Sequence, residues 1–126
     1  EIAINDMVET WSKRYPKVVI NYSFDKNINT LISPSFEGRI YRIIQEALTN
    51  ISKHSEPKKV NINLELDSKQ KELEIKIFND GIIQNSNAKN GVGLLGMMER
   101  VKQMKGIINF KKKNYFEIHI VLKLNP

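Results

Sequence analysis

The order of helix-like and strand-like hydrophobic patterns is the feature that most constrains the fold of this chain. The first segment, "AINDMVETWSKR", has apolar residues at helical spacing, and Pro16 stops its continuation. The next, "KVVINYSF", is rich in β-branched and aromatic residues, which is typical of a strand. In "SPSFEGRIYRIIQEALTNISKH" the apolar residues lie on one broad arc, which predicts an amphipathic helix that ends before Pro57.

Strict alternation dominates the second half. "KVNINLELD" and "ELEIKIF" alternate around a polar turn and predict a hairpin, and "GIINF" and "YFEIHIVLKL" predict two more strands. Between these pairs, an Asn- and Gly-rich loop leads into "LLGMMERVKQM", where Leu95, Met98, Val101 and Met104 are the predicted buried face of a helix. The order predicts an α/β (α+β) two-layer sandwich, with three helices covering one face of a mixed, mainly antiparallel sheet of about five strands.

Length and composition fit a single soluble domain over residues 1–126. Of the 126 residues, 40% are hydrophobic, which is enough for one core. The chain has no cysteine, which excludes a disulfide framework and thiolate metal sites, and it has no apolar run of membrane-spanning length. We therefore expect a cytoplasmic location.

A formal charge of +6 raises the question of a polyanionic partner such as nucleic acid. The densest basic run, Lys111 to Lys113, precedes Asn114, where a turn is expected. No aromatic residues are interleaved with the run as a base-stacking surface requires. The run therefore indicates a solvated hairpin tip, and no nucleic-acid partner is expected.

The long helix collects an acid, an amide and a cation on one side. Glu46, Asn50 and Lys53 lie within about 60° of one another, on the side away from the apolar arc. An isolated stripe of this kind is usually a solvated helix face on which Glu and Lys pair weakly. Two further motifs favour a functional interpretation.

The first motif is "GVGLLGMMER", where glycines stand between a loop and a helix. Gly91, Gly93 and Gly96 allow close approach of the backbone to a ligand, and the start of a helix favours an anion such as phosphate. The second motif is "FNDGI" at the end of a strand, which alone is an ordinary turn sequence. Each motif is weak evidence by itself.

In this order the three stretches resemble the ATP-binding domain of bacterial sensor histidine kinases, a branch of the Bergerat-fold (GHKL) family. "RIIQEALTNISKHS" resembles the N box, "NDG" the G1 box and "GVGLLGMMERV" the G2 box, and the resemblance covers nearly the whole chain. The pattern is most similar to the nitrate-sensor-like subfamily. The resemblance implies ATP and Mg²⁺ as ligands and transfer of the γ-phosphoryl group to a histidine.

The resemblance also implies a role for individual residues. Asn50 would bind Mg²⁺, and Glu46 would hold a metal-bound water; both would be catalytic. Lys53 and His54 would lie near the triphosphate.

Asn79 would accept a hydrogen bond from the adenine amino group, with Asp80 as the rival for this contact and Gly81 letting the base approach. The loop 82–89 would be a lid over the nucleotide. The G2-box segment would wrap the phosphates with Gly91, Val92, Gly93, Leu94 and Gly96.

This chain departs from the usual G1 box, D-x-G-x-G, at two positions. Asn79 stands where the family has aspartate, and Ile83 stands where it has a second glycine. An amide oxygen can still accept from the adenine amine, but without the strengthening that a charge gives. Weak ATP affinity is therefore one possible outcome.

The resemblance implies partners outside this chain. The acceptor histidine would lie on a helical dimerisation domain, which makes the complete kinase a homodimer that signals to a response regulator. Neither His54 in the N box nor His119, predicted to make a cross-strand surface pair, suits the role of acceptor. We expect the phosphoacceptor domain and the sensor to lie outside these 126 residues, with any membrane attachment through the sensor.

Three other functions stay open at the level of the sequence. A serine kinase of the same fold, acting on an anti-sigma partner, would phosphorylate another protein on serine. A degenerate or noncatalytic nucleotide-binding module would bind ATP without transfer. A basic nucleic-acid-binding domain would associate with DNA or RNA in a salt-dependent way and ignore ATP.

Overall fold

A computed structural model describes residues 2–28, 32–67, 69, 71–81 and 92–124 of the chain. The predicted elements are all present in the predicted order. The helices are α1 (Ile2–Arg14), α2 (Pro34–His54) and α3 (Val92–Gln103). The strands are β1 (Val19–Phe24), β2 (Lys59–Asp67), β3 (Glu72–Asn79), β4 (Ile107–Lys112) and β5 (Phe116–Lys123).

The five strands form one mixed sheet in the order β1-β2-β3-β5-β4. Only the β1–β2 pair is parallel, and α2 lies between these strands in the chain, as a crossover connection requires. The other neighbouring pairs are antiparallel. The prediction of a mixed, mainly antiparallel sheet is therefore confirmed.

One face of the sheet is covered and the other is wet. Residues of β3 and β5 alternate between buried and partly exposed, so that each strand sends every second side chain into the core. α2 supplies the largest helical share of that core, with its apolar arc completely buried: Ile40, Ile43, Ile44, Ala47, Leu48 and Ile51. The two-layer sandwich predicted from the alternation is the observed architecture.

Local signals fix both ends of α2. Ser33 caps its start, because the side-chain oxygen accepts a hydrogen bond from the Phe36 N–H at 3.1 Å, and Pro34 occupies the first helical position. The helix ends at His54, and the backbone N–H of Ser55 donates to the Ile51 carbonyl. Ser55 is thereby placed between the N-box helix and the hairpin.

The predicted buried face of α3 is wrong for half of its residues. Leu95 and Met98 are 56% and 44% exposed, whereas Met97 is fully buried together with Val101. Met104 is buried as predicted. The helix is rotated from the predicted register because its Gly96 side faces α2, where the backbone lies close to the carboxylate of Glu46.

Two surface predictions are confirmed. Lys113 and Asn114 lie in an exposed turn between β4 and β5, so the lysine run is a hairpin tip. His119 pairs with Glu74 across neighbouring strands, with 2.5 Å between its Nε2 atom and the carboxylate. Among the described residues, no helix combines the length and apolar character needed to cross a bilayer.

Candidate functional site

The three motifs meet along the second half of α2. Glu46 and Asn50 lie one turn apart on this helix, outside its apolar arc. Gly96 of α3 lies against the first of them, since a Cβ atom on this glycine would be 3.5 Å from Glu46 Oε2. Asn79, at the end of β3, contacts Ser55, the residue that follows the helix. Folding thus brings together segments that are far apart in the sequence.

Glu46 has one oxygen engaged and one without a partner. Its Oε1 accepts a hydrogen bond from Arg100 Nε at 2.5 Å, in an ion pair whose side chains are 22% and 37% exposed. Its Oε2 is buried and has no hydrogen-bond partner among the described residues. The G2-box pattern predicts a structural rather than a catalytic role for Arg100, and in the structure Arg100 holds the carboxylate of Glu46.

Asn50 has a similar unsatisfied group. Its Nδ2 atom is buried without a hydrogen-bond partner among the residues that the structure describes. A half-turn of the amide exchanges its nitrogen and oxygen, so this position can also present an oxygen ligand. Buried polar groups normally have partners, so each of these two atoms has hydrogen-bonding capacity left for a ligand.

These two residues fit Mg²⁺. The ion prefers oxygen ligands, takes few of them from protein and shares the rest of its coordination with water and phosphate. A carboxylate and an amide on one helix face match that preference. Within the described part of the chain, no group of three or more His, Cys, Asp or Glu side chains is arranged to hold a metal by itself.

Asn79 is held in a single orientation. It is 1% exposed, its Oδ1 accepts from the Gly81 N–H at 2.8 Å, and its Nδ2 donates to Ser55 Oγ at 3.0 Å. The Ser55 hydroxyl lies 3.3 Å from the same oxygen, so any further donor to Oδ1 competes with this hydroxyl. Ser55 orients this side chain; the sequence predicts no role for it, and its sequence signal is its place as the last residue of the N-box stretch.

Gly81 and Asp80 have distinct structural tasks. A Cβ atom at Gly81 would lie 2.1 Å from Ser55 Oγ and 2.9 Å from the backbone nitrogen of Pro57, so no larger residue fits without movement. The Asp80 carboxylate accepts from the N–H groups of Lys58 and Lys59, at 2.9 and 3.0 Å. Asp80 therefore anchors the start of β2.

For most of the remaining predicted site residues, the structure gives a position in one of the helices. Lys53 is exposed and lines a cavity of about 700 Å³ between α1 and α2. His54 is the last residue of α2, and Val92 and Gly93 begin α3. Leu94 follows in the first turn of α3 and packs against the core. The lid 82–89 and Gly91 lie outside the described residues.

Two curated relatives are sensor kinases. The sensor histidine kinase LiaS of Bacillus subtilis is 28% identical over 104 residues, which is 82% of this chain and 28% of the relative. The signal transduction histidine-protein kinase/phosphatase DegS of the same species is 32% identical over 96 residues, 74% of this chain and 25% of DegS. The chain thus spans about a quarter of the length of each. No family model matches the chain.

Solved structures with the same fold are also histidine kinases. The histidine kinase domain of the Erythrobacter litoralis EL346 blue-light activated kinase superposes with a TM-score of 0.75 at 16% identity, over 96% of this chain and 63% of that one. Full-length ShkA in complex with AMPPNP gives 0.68 at 17% identity, over 95% and 29%. The chain is therefore related in sequence to sensor histidine kinases and has the fold of their ATP-binding domain.

Proposed function

We propose that the chain binds ATP with Mg²⁺ and donates the γ-phosphoryl group to a histidine on a separate dimerisation domain. The observation that carries the proposal is the convergence of the three motifs on α2, with buried unpaired atoms on Glu46 and Asn50. The sequence relationship to LiaS and DegS supports it. So does the AMPPNP complex of ShkA, because that protein has the same fold.

In this proposal the adenine end of the site is Asn79. The amide oxygen accepts a hydrogen bond from the adenine amino group, and Ser55 and Gly81 hold the amide in position. A pre-oriented group loses little freedom when the base binds. Gly81 supports this contact by packing closely against Ser55 and Pro57, where a side chain would clash.

The phosphate end lies along α2 and the start of α3. Asn50 would hold Mg²⁺ directly and Glu46 would hold it through a water molecule, and the bound ion would supply positive charge against the phosphates. In this proposal the triphosphate is bound by Lys53 and His54 and by the G2-box segment with Gly91, Val92, Gly93, Leu94 and Gly96. Catalysis in this arrangement consists of positioning and charge neutralisation, and the acceptor histidine comes from the partner domain.

A transfer assay tests this function. Incubated alone with radiolabelled ATP, the chain should stay unlabelled, because neither His54 nor His119 suits the role of acceptor. Adding the helical acceptor domain of the same kinase should give a label on that domain that is labile in acid and stable in base. Glu46→Ala and Asn50→Ala should each suppress this label. An acid-stable label on serine would instead identify a serine kinase, and stable labelling of the chain itself would contradict the proposal.

One observation favours a second candidate, a nucleotide-binding module without transfer. Arg100 occupies one oxygen of Glu46, the residue to which the proposal gives a catalytic role. If this ion pair persists with nucleotide bound, Glu46 cannot orient water with that oxygen. ATP binding without any label on the acceptor domain would be the result expected of such a module.

A further inference from the structure

A pocket rich in arginine lies between α2 and α3, on the N-terminal side of Glu46 along α2. Its volume is about 390 Å³. The side chains that give it its character are Arg39 and Arg42 of α2 and Arg100 of α3, with Gln103 beside them and Met104 as an apolar floor. We call it the arginine pocket. Of its described lining residues, none is a predicted nucleotide or metal ligand.

The charge of this pocket is largely uncompensated. Its described lining contains no carboxylate, and Arg39 and Arg42 are exposed and form no ion pair with any described residue. Arg100 uses its Nε atom for Glu46, and its terminal nitrogens donate no hydrogen bond to the described part of the chain. A guanidinium presents five donors in a planar fork that suits carboxylate or phosphate. Several such forks around one pocket therefore favour an anionic ligand.

The position of the pocket connects it with the phosphate end of the site. Arg42 lies one turn before Glu46 on the same side of α2, at the i and i+4 spacing that makes helix residues neighbours. Arg100 contacts both the pocket and Glu46. Whatever occupies the pocket would therefore lie next to the place from which the phosphoryl group leaves.

We propose that the arginine pocket is a docking site for an acidic protein segment of the domain that receives the phosphoryl group. The identity of that domain rests on the proposed function. Arg100 already forms an ion pair with the carboxylate of Glu46, so one arginine of the pocket is seen to bind a carboxylate. The pocket also has an apolar floor, Met104, and an uncharged amide, Gln103, and this mixed lining suits a protein segment better than a free anion.

A peptide-binding measurement without nucleotide tests the docking site. A fluorescent hexaglutamate peptide, followed by anisotropy at low ionic strength, should bind the chain and dissociate as salt is added. The double variant Arg39→Gln/Arg42→Gln should weaken binding about tenfold, since two exposed charge pairs are lost. Lys111→Gln/Lys112→Gln removes the same charge from the exposed end of β4 and should leave binding unchanged. Absence of binding, or an equal loss in both double variants, would overturn the proposal.

Two further arms identify the occupant. In the first arm, pyrophosphate replaces the peptide. If the wild type binds pyrophosphate more tightly than the peptide, and Arg39→Gln/Arg42→Gln binds it more weakly, the pocket is a phosphate site instead. In the transfer assay with limiting acceptor domain, this variant should label the domain about tenfold more slowly than wild type. An unchanged rate would show that the acceptor domain does not dock there.

Nucleotide binding separates this proposal from the proposed function. Arg39→Gln/Arg42→Gln should bind ATP with Mg²⁺ as tightly as wild type, because neither residue is a predicted nucleotide contact. Intact ATP binding without peptide binding overturns the docking site alone. If the wild-type chain binds the peptide but not ATP, the proposed function is overturned and the docking site is not.

Discussion

Arg100 Nε donates a hydrogen bond to Oε1 of Glu46 over 2.5 Å and joins α3 to α2. Both side chains are partly buried, so water screens the pair only in part. The contact links packing to function, because the Glu46 carboxylate, which we propose acts at the metal, also holds α3 against α2. A change at either residue should therefore alter stability as well as activity.

The strength of this pair can be measured by a double-mutant cycle with Glu46→Gln and Arg100→Met. We expect a coupling free energy of about 1 kcal/mol, which is typical of contacting charged groups that are partly buried. Urea unfolding of the wild type, both single variants and the double variant gives this value. Strict additivity would show that the two side chains do not interact in solution.

Gly81 should be intolerant of a side chain. Gly81→Ala should lower the free energy of unfolding by about 1–3 kcal/mol, because its Cβ would clash with Ser55 Oγ and with the backbone at Pro57. Gly38 is the matched control: a Cβ there meets nothing within 4 Å. Gly38→Ala should raise stability by about 0.5–1 kcal/mol, as expected inside a helix. Thermal unfolding of both variants decides, and equal destabilisation would contradict the described packing.

The rotation of α3 predicts different effects for two adjacent methionines. Met97→Ala should cost about 2–5 kcal/mol, because Met97 is fully buried. Met98→Ala should change stability by less than about 0.5 kcal/mol, because Met98 is 44% exposed. Chemical denaturation compares the two directly. The reverse order would restore the face that the sequence alone predicts.

Asn79→Asp should separate nucleotide affinity from stability. A carboxylate gives the adenine amine a charge-assisted hydrogen bond, so ATP should bind at least as tightly as to wild type. The same change buries a charge where Asn79 is 1% exposed and removes the donor to Ser55, so the free energy of unfolding should fall. Calorimetry measures the ATP affinity of the variant, and chemical denaturation measures its free energy of unfolding. Weaker ATP binding without loss of stability would speak against the adenine contact.

Asn79→Ala should reduce discrimination between ATP and GTP, because a hydrogen bond to the base edge is lost. Competition binding with the two nucleotides measures this ratio. If Asp80→Ala reduces discrimination and Asn79→Ala does not, the adenine contact lies one residue further along the chain.

The layers and strands of this fold are predictable because their signals are local. Alternation along β3 and β5 and the broad apolar arc of α2 each follow from the period of one element. The face of α3 is not predictable in this way. Its run "LLGMM" places apolar residues on both sides, so Met97 and Met98 fit helical periodicity equally well. Contact with α2 decides between them, and this contact is invisible in local sequence.

The same limit applies to the site. The N box can be predicted from the sequence because Glu46 and Asn50 are four residues apart, and this spacing places them side by side on one helix. The partners that orient these motifs are distant in the chain: Ser55 and Asn79 are 24 residues apart, and Glu46 and Arg100 are 54 apart. No spacing rule connects such residues, so their contacts become apparent only when the chain is folded.

The central claim is that Glu46 and Asn50 form a metal-dependent ATP site, and calorimetric titration of ATP in the presence and absence of Mg²⁺ tests it most directly. We predict that Mg²⁺ strengthens ATP binding to the wild type, and that Asn50→Ala loses this dependence while its thermal unfolding stays close to that of wild type. Asn63→Ala, on the wet face of the sheet, serves as a control of the same chemistry and should keep the Mg²⁺ dependence. Unchanged Mg²⁺ dependence in Asn50→Ala, or no ATP binding by the wild type, would contradict the account.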